Sequence, residues 1–240
     1  MIEAYIDESS THWDAPFLCV ACYFGPHSRW RAFERQWQPI LKEHEIKSFH
    51  AKNGKHDKVR PFLAKIIEDC KFKGVMASVS RSVYNQFASA QLRSGLGDPY
   101  AACVSQCVMK TCRLVKIYHP DKKVSFFIEA GQPKTERIEA SFKSMIGRAF
   151  GAEFAPIAGV ALVKKEDFTP LQTADFLSHV YGTQDMTCFN YLTRRRLIWL
   201  ASIGPEILED TSSGVKIMLA EQRWRRHLEK KQTKTSAPKE

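Results

Sequence analysis

The N-terminal pattern of the chain constrains its fold most strongly. Ile2–Ile6 alternates apolar with other residues, and Phe17–Phe24 is a second run rich in aromatic and aliphatic side chains. Both runs are typical of strands, and the polar segment 9–16 between them suits a hairpin connection. We therefore predict that the chain begins with two paired strands.

The segments after this hairpin alternate between helical and strand patterns. Apolar residues recur every three or four positions from Ser28 to about Glu45, which predicts an amphipathic helix. The same criteria predict helices at Val59–Cys70, Val83–Leu92 and Tyr100–Tyr118, and strands at Lys73–Val79, Val124–Ile128 and Ile157–Val163. A last, well-marked helix begins near Thr169 and Pro170 and ends near Gly182.

Length and composition bound the organisation of the chain. Its 240 residues suffice for one sizeable core and are too few for several independent domains. No apolar stretch is long enough to span a membrane, and the N-terminus lacks the pattern of a secretory signal. The seven cysteines are an odd number without compact spacing, which favours reduced thiols. We expect a cytoplasmic protein without membrane contact.

The charge of the chain favours a polyanionic partner. The formal net charge is +10 and the isoelectric point is near 9.3. Lysine and arginine gain binding free energy by releasing the counterions condensed on phosphates. Nucleic acid is therefore the expected partner, and a basic protein that binds none is the alternative.

Three acidic residues occupy positions that suit chemistry. Asp7 follows the first strand, Glu129 follows a central strand, and Asp175 lies on the last well-marked helix. Each alone is as well explained by a turn or a solvated charge. Together they can converge, because strand ends at one sheet edge and the face of a covering helix can meet. Clustered carboxylates need a cation, and Mg²⁺ or Mn²⁺ prefers oxygen ligands, so the set predicts metal-assisted phosphodiester hydrolysis.

Neighbours of these carboxylates offer supporting roles. Adjacent strand residues point to opposite faces, so Asp7 is favoured over Glu8 as a ligand unless the strand ends there. Gln172, Asp175 and His179 share one helix face because they are spaced three and four apart. Gln172 and His179 are candidates to hold nucleic acid or to tune the carboxylate. A capping glutamine and a partly buried histidine are the alternatives.

Basic residues in two segments are candidates for contact with nucleic acid. His50, which precedes Lys52 and Lys55 in a polar loop, is placed to bind a phosphate or to act as a general acid. The alternative is a surface histidine. Arg194 and Arg195 stand in a basic cluster beside apolar residues, which suits phosphate contact, with a solvated basic face as the alternative.

The cysteines offer a competing metal site that the spacing does not support. Cys19 and Cys22 form a Cys-x-x-Cys inside an apolar strand, without a second pair at ligand spacing. Cys103, Cys107 and Cys112 follow a helical run of apolar residues. Core packing is therefore the favoured role of all five.

Four parts of the sequence match motifs of a known family. They are Tyr5-Ile6-Asp7-Glu8-Ser9, Phe49-His50-Ala51, the acidic residue Glu129 and Leu171-Gln172-Thr173-Ala174-Asp175-Phe176-Leu177. On these residues the chain resembles the domain of unknown function 3800 family, whose members resemble ribonuclease H-like nucleases. The resemblance implies a ribonuclease H-like α/β fold, a mixed sheet flanked by helices, with Asp7, Glu129 and Asp175 as the metal set.

The chain departs from the family pattern at two positions. A serine stands where glycine often follows the opening Asp-Glu-Ser, and Ser48 stands where an acidic residue often lies near the histidine. Glu8 is therefore the candidate for a fourth ligand. The resemblance covers residues 1–185 as a ribonuclease H-like domain, followed by a basic helical extension at 186–230 and a disordered tail at 231–240.

These observations predict a nuclease that hydrolyses RNA, DNA or a hybrid at a carboxylate-bound Mg²⁺ or Mn²⁺ site. Two alternatives stay open. One is a nucleic-acid-binding module without catalysis, and the other is a subunit of a larger defence or mobile-element assembly that requires a protein partner.

Overall fold

A six-stranded sheet organises the part of the protein that the structure describes. The computed structural model describes residues 1–9, 17–87, 99–131, 152–183, 188, 192 and 197–203. Its strands are β1 Ile2–Ser9, β2 Phe17–Pro26, β3 Lys73–Ser80, β4 Val124–Glu129, β5 Ile157–Val163 and β6 Leu197–Ile203. They lie in the order β5-β4-β1-β2-β3-β6, so β1 is in the interior of the sheet.

The sheet combines antiparallel and parallel pairs. β1 pairs with β2 and β2 with β3 in antiparallel register, which confirms the predicted hairpin. β4 is parallel to β1, β5 is parallel to β4, and β6 is parallel to β3. Parallel neighbours require crossover connections, which bring helices onto the faces of the sheet. The mixed sheet that the resemblance implied is present.

Helices cover both faces of this sheet. They are α1 His27–Glu43, α2 Arg60–Cys70, α3 Arg81–Phe87, α4 Pro99–Tyr118 and α5 Leu171–Thr183, and a short 3-10 turn spans Gly54–His56. α4 packs on one face, whereas α1, α2 and α5 pack on the other. The predicted α/β fold class is confirmed. None of these described helices is both long and apolar enough to cross a membrane.

Successive residues of β1 reach opposite faces of the sheet, as strand geometry requires. Ile6 packs in the core on the α4 side. Tyr5 packs on the other side, with its ring centroid 4.7 Å from that of Trp30 in α1. Asp7 therefore continues the side of Tyr5, and Glu8 continues the side of Ile6.

The C-terminal part of the sheet corrects one prediction. Leu197–Ile203 lies within the segment predicted as a helical extension, but it forms β6 and pairs with β3. Its sequence Leu-Ile-Trp-Leu-Ala-Ser-Ile is rich in residues that strands favour, and the edge of β3 offers backbone hydrogen bonds. The sheet therefore continues beyond residue 185. Within the predicted extension at 186–230, the structure describes only residues 188, 192 and 197–203. The rest of the extension and the tail at 231–240 lie outside the described residues.

The seven cysteines are all buried thiols. Cys19 and Cys22 lie in β2, and Cys103, Cys107 and Cys112 lie in α4, within the two cores of the protein. The prediction of core packing is confirmed for these five residues.

Native protein is expected to resist thiol reagents. Burial raises the pKa of Cys70 to about 11 and that of Cys112 to about 12. At neutral pH these side chains are therefore thiols rather than thiolates, and a reagent has little access to them. With a chromogenic disulfide reagent, we expect less than about one fast-reacting thiol per chain, and reaction of all seven in guanidinium. A thiol that reacts rapidly and stoichiometrically in the native state would contradict this packing.

Candidate metal centre

Asp7 and Glu129 lie at one end of the sheet because their strands run in parallel. β1 and β4 are paired up to Ile6 and Ile128, so the next residue of each strand lies at the same edge. Asp7 is fully buried, and the side chain of Glu129 is 19% exposed. The structure thus brings together these two carboxylates of the predicted set.

Asp175 reaches the same place from α5, which packs across β1 and β2. Its Oδ2 accepts a hydrogen bond of 2.7 Å from the backbone N–H of Ala51. Its Oδ1 lies 3.1 Å from Nζ of Lys165. The first contact joins the loop that carries His50, Lys52 and Lys55, here called the basic loop, to the carboxylates. The second joins Asp175 to the same ammonium that Asp7 and Glu129 contact.

Lys165, which no sequence pattern singled out, lies at the centre of the predicted ligands. Its Nζ is 2.8 Å from Asp7 Oδ2, 3.2 Å from Glu129 Oε1 and 3.1 Å from Asp175 Oδ1. Lys165 is 5% exposed, whereas Lys164 before it is an exposed residue. A buried ammonium persists only where opposite charges offset its lost hydration. Lys165 is therefore the internal counter-ion of the three predicted ligands.

Glu8 joins the centre from the other face of β1. It is 7% exposed and neighbours Tyr100 at the start of α4. One carboxylate oxygen from each of Asp7, Glu8 and Glu129 lies within 4.8 Å of the others. β1 continues to Ser9, so Asp7 and Glu8 point to opposite faces as expected, and the preference for Asp7 as the ligand stays a prediction. Both carboxylates reach Glu129 because the pairing of β1 with β4 stops one residue earlier.

The charges at this centre are unbalanced. Burial raises the pKa of Asp7 well above its usual range, a hydrogen bond with Glu129 adds to this, and Lys165 opposes it. Burial, with the charge of Glu129, raises the pKa of Glu8 to about 8. Burial would lower the pKa of Lys165, but the surrounding carboxylates reverse the effect and raise it. One ammonium does not neutralise the carboxylates, so the centre favours a further cation.

The arrangement of oxygen donors fits one hard divalent ion. Ligand oxygens about 2.1 Å from Mg²⁺ lie within about 4.2 Å of one another in an octahedron, and Asp7, Glu8 and Glu129 approach this spacing. The carboxylate of Glu8 is buried beside the hydroxyl of Tyr100. A cation held by these three residues would offset its buried charge.

Gln172 connects the elements around the centre. Its Oε1 accepts hydrogen bonds from the indole N–H of Trp37 at 2.9 Å and the backbone N–H of Phe49 at 3.2 Å. Its Nε2 donates to Ser48 Oγ at 3.3 Å and to the carbonyl of Lys165 at 3.5 Å. Gln172 is 2% exposed and acts as a structural brace between these elements. Its contact with nucleic acid stays a prediction.

The basic loop lies beside the carboxylates. His50 is half-buried, with Nε2 at 3.8 Å from Oε1 of Glu166, and lies near Glu129. Lys52 and Lys55 are exposed. The loop therefore presents two lysines to solvent at the side of the candidate centre.

Three further residues were predicted to contact nucleic acid: His179, Arg194 and Arg195. His179 lies on α5 one turn after Asp175 and is half-buried. Arg194 and Arg195 lie outside the described residues. Their contact with nucleic acid stays a prediction.

Comparisons with known proteins give only distant structural likenesses. No protein-family model matches the sequence, and no curated protein matches it. One similar solved structure is a glutamine-to-alanine mutant of Bst-RNase HIII, with 13% identity over 78% of this chain and 54% of that chain and a TM-score of 0.47. A second is ribonuclease H2 from Pyrococcus horikoshii OT3, with 11% identity over 81% of this chain and 77% of that chain and a TM-score of 0.45. A third is Bst-RNase HIII in complex with Mn²⁺, with 14% identity over 94% of this chain and 62% of that chain and a TM-score of 0.47. The chain covers less than two-thirds of either Bst-RNase HIII chain. The resemblance to the domain of unknown function 3800 family stays a prediction.

Proposed function

We propose that the protein is a metal-dependent nuclease that hydrolyses phosphodiester bonds of nucleic acid. The observation that carries the proposal is the meeting of Asp7, Glu129 and Asp175 around one point, with Glu8 beside the first two. The net charge of +10 favours a polyanionic substrate. Mg²⁺ or Mn²⁺ is the expected ion, since all the donors are carboxylate oxygens.

Each group at the centre has a role in this proposal. A bound ion would supply Lewis acidity, which lowers the pKa of a water molecule and stabilises charge on a phosphoryl oxygen. Asp7, Glu8 and Glu129 would hold it, and Asp175 orients Lys165 and the basic loop. His50, which is half-buried in the basic loop near Glu129, would give a proton to the leaving oxygen.

Cleavage assays with labelled RNA, DNA and RNA–DNA hybrid test this function. We expect turnover with Mg²⁺ or Mn²⁺ that a chelator abolishes, and a loss of roughly a hundredfold or more in Asp175→Asn. Asp121→Asn is the matched control, because Asp121 is exposed before β4, at the end of the strand opposite Glu129. Cleavage by Asp175→Asn at the rate of the parent would contradict the proposal.

Lys52 and Lys55 are proposed to contact the phosphates of the substrate, because both are exposed on the loop that Asp175 anchors. Replacing each with glutamine is expected to weaken binding of every sequence alike and to reduce the salt dependence, with the slope falling by about one per contact. Fluorescence anisotropy at several salt concentrations measures both effects. The same change at Lys42, exposed at the end of α1, is the control. An unchanged slope in the loop variants would exclude the contact.

A binding module without catalysis is the second candidate. The observation that favours it is Lys165, which already neutralises part of the charge of three carboxylates. Such a module would bind nucleic acid in a salt-sensitive manner that is indifferent to metal. Metal-stimulated turnover would exclude it.

A further inference from the structure

The contacts of Lys165 divide the acidic residues into two overlapping groups. Its ammonium lies within 3.2 Å of oxygens of Asp7, Glu129 and Asp175. The group spaced to hold a metal ion consists of Asp7, Glu8 and Glu129. Asp7 and Glu129 belong to both groups. The centre therefore has two neighbouring positions for positive charge that share two carboxylates.

Lys165 is held in the first position by its own backbone. The N–H of Asp167 donates to the carbonyl of Lys164 at 3.1 Å and closes the turn after β5. Gln172 Nε2 lies 3.5 Å from the carbonyl of Lys165 itself. The side chain is 6% exposed, so the ammonium lies in the interior beside the carboxylates. Its place among the carboxylates is thus built into the fold.

Glu8 marks the second position. Its carboxylate is buried beside the hydroxyl of Tyr100, and one of its oxygens lies within 4.8 Å of ligand oxygens of Asp7 and Glu129. A buried carboxylate is costly unless a cation offsets its charge. This observation is independent of Lys165, whose contacts are with the other three carboxylates.

We propose that Lys165 is a built-in cation that occupies one of two cation positions, so that a single divalent ion at Asp7, Glu8 and Glu129 completes the centre. The inference rests on the proposed nuclease function and makes its metal content specific. Nucleases with two ions about 4 Å apart use them to stabilise the attacking and leaving oxygens of the phosphodiester. Here an ammonium supplies the positive charge of the second ion.

Mn²⁺ binding to the full chain tests the proposal. Titration followed by electron paramagnetic resonance and calorimetry is expected to give one Mn²⁺ per parent chain, without a spin-coupled pair. Lys165→Met removes the ammonium but keeps an unbranched side chain. It is expected to bind two, because Asp175 and the shared carboxylates become available as ligands. Lys164→Met, at the exposed neighbour, is expected to bind one.

The number of Mn²⁺ ions bound per chain distinguishes the possible outcomes. Two ions in the parent, or one ion in a folded Lys165→Met, would overturn it. Lys165→Arg keeps the charge and is expected to bind one. The parent spectrum alone tests the idea should Lys165→Met not fold.

Cleavage by the same samples separates this inference from the proposed function. A parent that binds one ion and cleaves nothing contradicts only the nuclease activity. A parent that cleaves with two bound ions contradicts only the role of Lys165, and a parent that binds no Mn²⁺ contradicts both.

Discussion

Asp7→Asn is expected to lower metal-dependent cleavage by roughly a thousandfold or more, equivalent to about 4 kcal/mol of transition-state stabilisation. Asp7 belongs to both groups of contacts, since it lies with Glu8 and Glu129 and also 2.8 Å from Lys165. A neutral amide is a poor ligand for a hard cation, and it also removes one of the carboxylates around the ammonium. Single-turnover rates at saturating Mg²⁺ measure the loss.

The same substitution should leave the fold intact, which separates chemistry from stability. Asparagine has nearly the shape of aspartate, and its Oδ1 can accept the 2.7 Å hydrogen bond from the Glu8 N–H. It also relieves the repulsion that Glu8 and Asp175 exert on Asp7. The melting temperature without metal should change by no more than a few degrees. Asp69→Asn, at an exposed site in α2, is the control, and equal activity of both variants would exclude Asp7 as a ligand.

Local patterns were sufficient to predict much of the fold. The alternation in Ile2–Ile6 and the apolar run Phe17–Phe24 predict the hairpin, because a strand with two covered faces needs such residues along its length. The predicted strand Ile157–Val163 coincides with β5. β6 was missed, since the partner that makes a strand favourable there is the distant edge of β3. Pairing across the sheet decides such a segment, and its own pattern does not.

Local sequence patterns likewise predict some residues of the candidate centre and miss others. Glu129 could be selected because a strand end is a local feature, and Asp175 because helix boundaries mark its segment. Asp7 was selected on the same ground as Glu129, although β1 continues for two residues beyond it. Lys165 could not be selected, since the adjacent Lys164 has the same side chain and is exposed. Only the turn after β5 decides which of the two lysines enters the interior. A lysine in the short connection between a strand and a helix that carries a candidate carboxylate is the pattern that could have raised the question.

Gln172→Leu is expected to lower the free energy of unfolding by about 2–6 kcal/mol. The substitution nearly preserves volume but leaves two buried donors, the Trp37 indole N–H and the Phe49 backbone N–H, without their acceptor. Each unsatisfied donor costs about 1–3 kcal/mol. Chemical denaturation monitored by tryptophan fluorescence measures the change. The loss should extend to cleavage, because Gln172 also donates to the carbonyl of Lys165.

The same replacement at Gln36 provides the comparison. Gln36 is exposed on α1, and its amide donates to the carbonyl of Ala32 at a site open to water. Gln36→Leu is expected to change the free energy of unfolding by less than about 0.5 kcal/mol. Water can replace the lost hydrogen-bond partner at Gln36, but it cannot reach the buried donors beside Trp37 unless the interior opens. Equal stability of the two variants would therefore contradict the role of Gln172 as a structural brace.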